Sequence, residues 1–126
     1  MQKMYVVVNQ DLKMSKGLVS AQVAHAVFDY MDSCIKKCLD CMTFGHSDHV
    51  VRALFTFNDF MDNFRLNGNG MIILKASEEK LLEFQKQGYV TVIDRLMDKK
   101  ITAVNLGIWE DKNKPEFIKE LKLLGR

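Results

Sequence analysis

A chain of 126 residues with 48% apolar and 27% charged side chains fits one globular domain with its own core and excludes a disordered or fibrous protein. Its formal charge of +2 is too small to argue for nucleic acid on composition, so any basic footprint has to come from clustering. The longest apolar run is too short for a bilayer, the N-terminus lacks the plan of a signal peptide, and three cysteines read as thiols rather than a disulfide framework, so a cytoplasmic protein without a membrane partner is expected.

The first element is MYVVVN, Met4 to Asn9, a short apolar, β-branched run that suits a strand covered on both faces. Ser15 follows as a helix cap, and a helix is predicted from about Lys16 into the region of Cys34. At ~100° per residue, Val19, Val23, Ala26, Val27, Tyr30 and Cys34 fall together on it. Ala21, Ala24, Phe28, Met31 and Ile35 widen that arc, leaving a narrow polar strip of Gln22, His25, Asp29 and Asp32, with Leu18 among them. This helix is expected to be mostly buried, with an ordinary His25–Asp29 pair one turn apart on its exposed edge.

Residues 36–70 are the least legible part. They hold Cys38, Cys41, His46 and His49, then ALFTFNDFMDNF, which is predicted to form a second helix. With Cys34 the cysteines spell C-x3-C-x2-C, the spacing of radical iron–sulfur enzymes, but that chemistry is normally carried by a much larger barrel. Thiolates followed by imidazoles would suit zinc better. Helical Cys34 and Cys38 also look like small core residues, and no metal or other cofactor is expected.

A second strand, MIILK (Met71 to Lys75), follows the turn-rich NGNG. Ser77, with Glu78 and Glu79 behind it and Gly88 as the stop, frames a well-signalled helix. VTVID (Val90 to Asp94) and TAVNLGIW (Thr102 to Trp109) are two more strands, and Pro115 opens a last helix with Phe117, Ile118, Leu121 and Leu124 on one face. Alternating strands and helices predict a three-layer α/β/α sandwich with a four-stranded, mixed, mostly parallel sheet, in one Rossmann-like domain over residues 1–126. The link from Asp94 to Thr102 is too short for a helical crossover, so the last strand is expected to be antiparallel to its sequence neighbour or reached by a loop.

One feature of this order points to function. Lys13 and Lys16 stand at the start of the first helix, where cations are disfavoured by a few tenths of a kcal/mol each, and the first turn has no acid to offset them. A bound anion would reverse that sign, and a helix start after a strand is where α/β sheets bind anions.

The run MYVVVNQDLKMSKGLVSAQVAHA resembles the opening of the type 2 peptidyl-tRNA hydrolases, in which a strand is followed by D-L-K-M-G-K-G-K and then A-A-Q-x-x-H-A. Asp11, Leu12, Lys13, Met14, Lys16, Gly17, Ala21, Gln22, His25 and Ala26 match without a gap. MIILKA resembles the family's second strand with its terminal lysine at Lys75, and LGIW its last strand. The resemblance implies an α/β/α sandwich with a four-stranded mixed sheet and hydrolysis of the ester that joins a peptide to tRNA. It implies tRNA as partner and matches Asp94 to a catalytic aspartate. For that reaction Lys13 (on the oxyanion or a phosphate), Gln22 (orienting water or the ester carbonyl) and Asp94 (the base) are expected as catalytic groups, with Lys16, Gly17 and Lys75 as contacts to the substrate or its phosphates. A homodimer is left open.

There are departures. The second lysine of G-K-G-K is Leu18 here, and the family's D-A-G-R-T-Q-I-A-P-G is replaced by DRLMDKKI, in which Asp94 matches the aspartate and Asp98 stands in the threonine's place. Two readings follow: a hydrolase of peptidyl-tRNA, or a hydrolase-like module that binds tRNA or another phosphate-bearing ligand at the first helix without cleaving it.

Overall fold

A computed structural model describes residues 2–44, 58–59, 61–62 and 70–125, with the backbone alone for 38–44. Its elements are β1 (Gln2–Asn9), α1 (Lys16–Phe44), β2 (Met71–Ala76), α2 (Glu78–Lys86), β3 (Val90–Asp94), β4 (Lys100–Glu110), α3 (Glu116–Glu120) and β5 (Lys122–Leu123). Single 3-10 turns follow β1, at Gln10–Leu12, and β3, at Arg95–Met97. Residues 58–59 and 61–62 are helical, inside the stretch predicted as a second helix. His46, His49 and the side chains of Cys38 and Cys41 lie outside the described residues. No helix among the described residues is long and apolar enough to cross a membrane.

The strands form one open mixed sheet in the order β3-β4-β1-β2-β5. Three expectations are corrected by it. The sheet has five strands, not four, and of its four pairings only β1 with β2 is parallel, so it is not mostly parallel. The third correction explains the fifth strand: Leu121 leaves the last helix in extended conformation, and the chain pairs with β2, with the Leu124 N–H donating to the Ile73 carbonyl. An unpaired β2 edge gains more from those backbone bonds than a longer helix would. The antiparallel β4 is as expected from the short link after Asp94.

Strand alternation sends side chains to two cores. Tyr5, Val7, Leu74 and Ala76 face one way, with Leu81 and Phe84 of α2 and Ile118 of α3. Met4, Val6 and Val8 face the other, with Ala26 of α1, Val92 and Ala103. α1 lies over β1, β3 and β4. It is longer than predicted, running ten residues beyond Cys34 to Phe44, and less buried: Ala21, Ala24, Phe28 and Ile35 are exposed, whereas Gln22, assigned to the polar strip, is buried. A helix covers a sheet with a stripe about 100° wide, so an apolar arc broader than that leaves one flank uncovered.

The middle of α1 carries a coupled pair of acids. Tyr30 and Cys34 share a hydrogen bond, and burial, then the neighbouring thiol, pushes the Tyr30 phenol up to about 12. Burial also pushes the Cys34 thiol up. The folded chain therefore holds both protons more tightly than the unfolded chain, and the stabilisation is intact below the unfolded values but lost as pH rises through about 12. Urea melts should show lower stability at about pH 11 than at about pH 8, and Tyr30→Phe should flatten most of that slope. An unchanged slope in Tyr30→Phe would mean that other groups set it.

Candidate functional site

Two loops at one end of the sheet build the site. Between β1 and α1, Asn9 is 1% exposed; its side-chain oxygen accepts from the Asp11 N–H at 2.9 Å and its amide donates to the Ile101 carbonyl at 2.8 Å. The Asp11 carboxylate in turn accepts from the Glu78 N–H at 2.9 Å, so this acid serves the start of α2, beside the Ser77 cap that receives the Lys80 N–H. Asp11 is thus spent on tying β1 to α2, and the first turn of α1 has no acid. Lys13 and Lys16 are left exposed next to it, and exposed Gly17 follows.

Lys13 adopts a left-handed conformation (φ 48°), as do Asp98 and Lys99 (φ 57° and 58°) in the loop between β3 and β4. Among the described residues these are the non-glycine residues with positive φ, and all three flank this end of the sheet. Such conformations cost of order 1 kcal/mol or more each and tend to gather where function holds them.

Beneath the loops, α1 and the sheet are joined by a buried chain of hydrogen bonds. The Thr102 hydroxyl donates to Gln22 Oε1 at 2.7 Å, and Gln22 Nε2 donates to Asp94 Oδ2 at 2.7 Å. The other Asp94 oxygen accepts from the Leu96 N–H at 2.8 Å. Gln22 is 2% exposed and Thr102 fully buried, while Asp94 is half-buried. A hydroxyl donor on one side and a carboxylate acceptor on the other fix which way the Gln22 amide points.

Thr102 is the residue sequence reasoning missed. Val92 pairs with Ala103 and Ile93 with Ile101, so Thr102 is an added residue in β4, a bulge. Strict alternation would separate Thr102 and Ala103 on opposite faces, yet the bulge puts both on the α1 side. The available signal was a lone threonine starting an apolar run. Thr102→Val leaves the buried Gln22 oxygen without a donor and should cost about 1–3 kcal/mol of stability, read from urea melts, with Thr102→Ser recovering most of it. Equal melts for Thr102→Val and the wild type would show that the bond contributes nothing.

Asp94 opens onto a cleft of about 340 Å³ lined by Gln22, His25 and Asp29 of α1 and by Val92, Arg95 and Leu96. The expected His25–Asp29 pair is not made among the described residues; both side chains line the cleft instead. An exposed pair at that spacing is worth only a few tenths of a kcal/mol, so little is lost.

Of the residues singled out in the sequence, Gln22 and Asp94 are in direct contact. Lys13, Lys16 and Gly17 stand at the same end of the sheet, at the start of the helix that carries Gln22. Lys75 is opposite Val8 near the end of β2, three strands from β3 and so ~14 Å across the sheet from Asp94. It lines a separate hollow with Gln10, Ser77 and Lys80. Leu18 is half-buried, its N–H donating to Ser15 Oγ at 3.3 Å, and stands one turn ahead of Gln22. Among the described residues no group of three His, Cys, Asp or Glu side chains is arranged to hold a metal ion.

No curated protein matches the chain. The family described as "Peptidyl-tRNA hydrolase PTH2" matches residues 2–124, which takes in both loops, the bulged strand and the whole of the Thr102–Gln22–Asp94 chain. The match spans nearly the full sequence, and the protein belongs to the peptidyl-tRNA hydrolase PTH2 family.

Proposed function

We propose that this chain hydrolyses the ester between a peptide, or an N-blocked amino acid, and the terminal ribose of tRNA. The observation that carries this reading is the 2.7 Å bond between Gln22 and Asp94, which holds a half-buried carboxylate at the mouth of a cleft, against the helix whose start carries the exposed Lys13 and Lys16. In the reaction, Asp94 takes a proton from a water as the water oxygen attacks the ester carbonyl. Lys13, at the helix start, stabilises the oxyanion that forms. The carbon–oxygen bond to the ribose then breaks, and the leaving ribose oxygen recovers the proton. Gln22 is buried with its oxygen and one N–H engaged, so its part is to position Asp94 rather than to touch the water. Lys16, Gly17 and Lys75 are assigned to the phosphates, the last reached by the RNA as it passes over β1. Such a reaction belongs in the cytoplasm, with tRNA as the partner.

Two departures from the family pattern favour a second reading. Leu18 brings no charge to the turn that precedes Gln22, and Asp98 supplies a carboxylate where the family has a threonine hydroxyl. A chain that keeps the cationic helix start and lacks these donors would bind tRNA without cleaving it. Incubating the purified protein with N-acetylaminoacyl-tRNA separates the two. Release of the acyl group above the spontaneous rate supports hydrolysis, and salt-dependent tRNA binding with no release supports the binding module.

A further inference from the structure

We infer that the cleft beside Asp94 receives the acyl portion of the ester, and that Leu96 selects there for an apolar side chain. The inference rests on the hydrolase-like reading of the site and adds to it the direction in which the substrate lies.

The direction follows from charge. Lys13 and Lys16 mark the start of α1, and the cleft leads from Gln22 through His25 to Asp29, away from them along the same helix. Lys16 and Asp29 are thirteen residues apart in the sequence, ~20 Å along the axis. Phosphates belong at the cationic end, and Asp29 repels them at the other. With the ester carbonyl beside Asp94, RNA toward the lysines sends the acyl group into the cleft.

The apolar character comes from the turn after β3. Leu96 is 95% exposed, the most exposed large apolar side chain among the described residues, and it lines the cleft with Val92. Scattered exposed leucines are ordinary on protein surfaces. This one differs because its own N–H donates to Asp94 Oδ1, so its backbone is held beside the carboxylate. Arg95, also exposed on that turn, is the feature that would suit RNA, and the test distinguishes the two moieties.

The test compares N-acetylphenylalanyl and N-acetylglycyl groups on one tRNA, as esters for cleavage and as stable 3′-amides for binding, in the wild type and in Leu96→Ser. The side chain is solvent-exposed and the bond to Asp94 uses the backbone, so the variant should fold. The wild type is expected to favour the phenylalanyl ester by about tenfold in kcat/KM, and Leu96→Ser to bring the ratio near one. The amides should show the same change in relative affinity. A ratio unchanged by Leu96→Ser, or an equal loss on both acyl groups, overturns the inference, the latter because Leu96 would then touch the RNA. If the wild type cleaves neither ester but binds the phenylalanyl amide better in a Leu96-dependent way, the acyl cleft stands and hydrolysis falls. Equal binding of the two amides by the wild type removes the acyl cleft whether or not the esters are cleaved.

Discussion

If Asp94 is the general base, Asp94→Asn should lower cleavage of N-acetylaminoacyl-tRNA by roughly 10²–10⁴-fold, while the melting midpoint should stay close to that of the wild type. The small structural cost follows from the network. An asparagine oxygen still accepts the Leu96 N–H that Asp94 Oδ1 accepts now. Its amide would face the Gln22 amide, but Gln22 can turn over and present Oε1 to it. Thr102 then gives its proton to the Val92 carbonyl, already 3.3 Å away, and accepts from Gln22. Every buried polar atom keeps a partner, and only the negative charge of the carboxylate is lost. The comparison is a single-turnover rate beside a urea melt. A variant that melts normally and cleaves at the wild-type rate would remove Asp94 from the chemistry.

Leu18→Lys is the second large effect and has the opposite sign. The residue lies four positions ahead of Gln22 and so on the same side of α1, half-buried rather than packed in either core. A lysine can reach solvent along that side, so the cost to folding should stay below about 1 kcal/mol. A charged donor aimed at a developing oxyanion is worth about 2–4 kcal/mol, which is roughly 30- to 1000-fold in rate. If Leu18 impairs a working hydrolase, the variant should gain within that range, and Asp94→Asn in the same background should cancel the gain. No gain, with tRNA binding intact, would favour the module that binds without cleaving. A wild type that already cleaves fast would shift the charge requirement onto Lys13 or Lys16, and Lys16→Ala would then be the damaging change.

What could be read from the residues was the material of the elements; what escaped was the pairing between them. The strands announced themselves because VVV, MIIL and VTVI are β-branched runs bounded by turn residues. Ser77 and its acids marked α2 because capping is local chemistry. The edge strand β5 did not announce itself, since two residues carry no periodicity and exist as a strand only because β2 offers an unpaired edge. Asn9 and Asp11 were likewise opaque: their value lies in bonds to Ile101 and Glu78, far away in the chain. A helical wheel puts Gln22 on a solvated strip because it records angles and not neighbours. Asp94 was found through a motif, and the partner it shares with Thr102 could not be, because that contact depends on a register that alternation alone gets wrong.

The bulge at Thr102 has a consequence for how such a site can be altered. In a regular strand, identity and facing are separate matters: any residue may be exchanged and its neighbours still point where they did. Here facing depends on a count. Deleting Thr102 would restore alternation between Ile101 and Ala103 and leave both cores filled, yet no hydroxyl would remain under Gln22. Adding one between Ile101 and Thr102 would carry the hydroxyl to the α2 side. The contact between Thr102 and Gln22 is therefore written in parity as well as in composition, and an insertion just before Thr102 would break it with no change to any other side chain of the cleft.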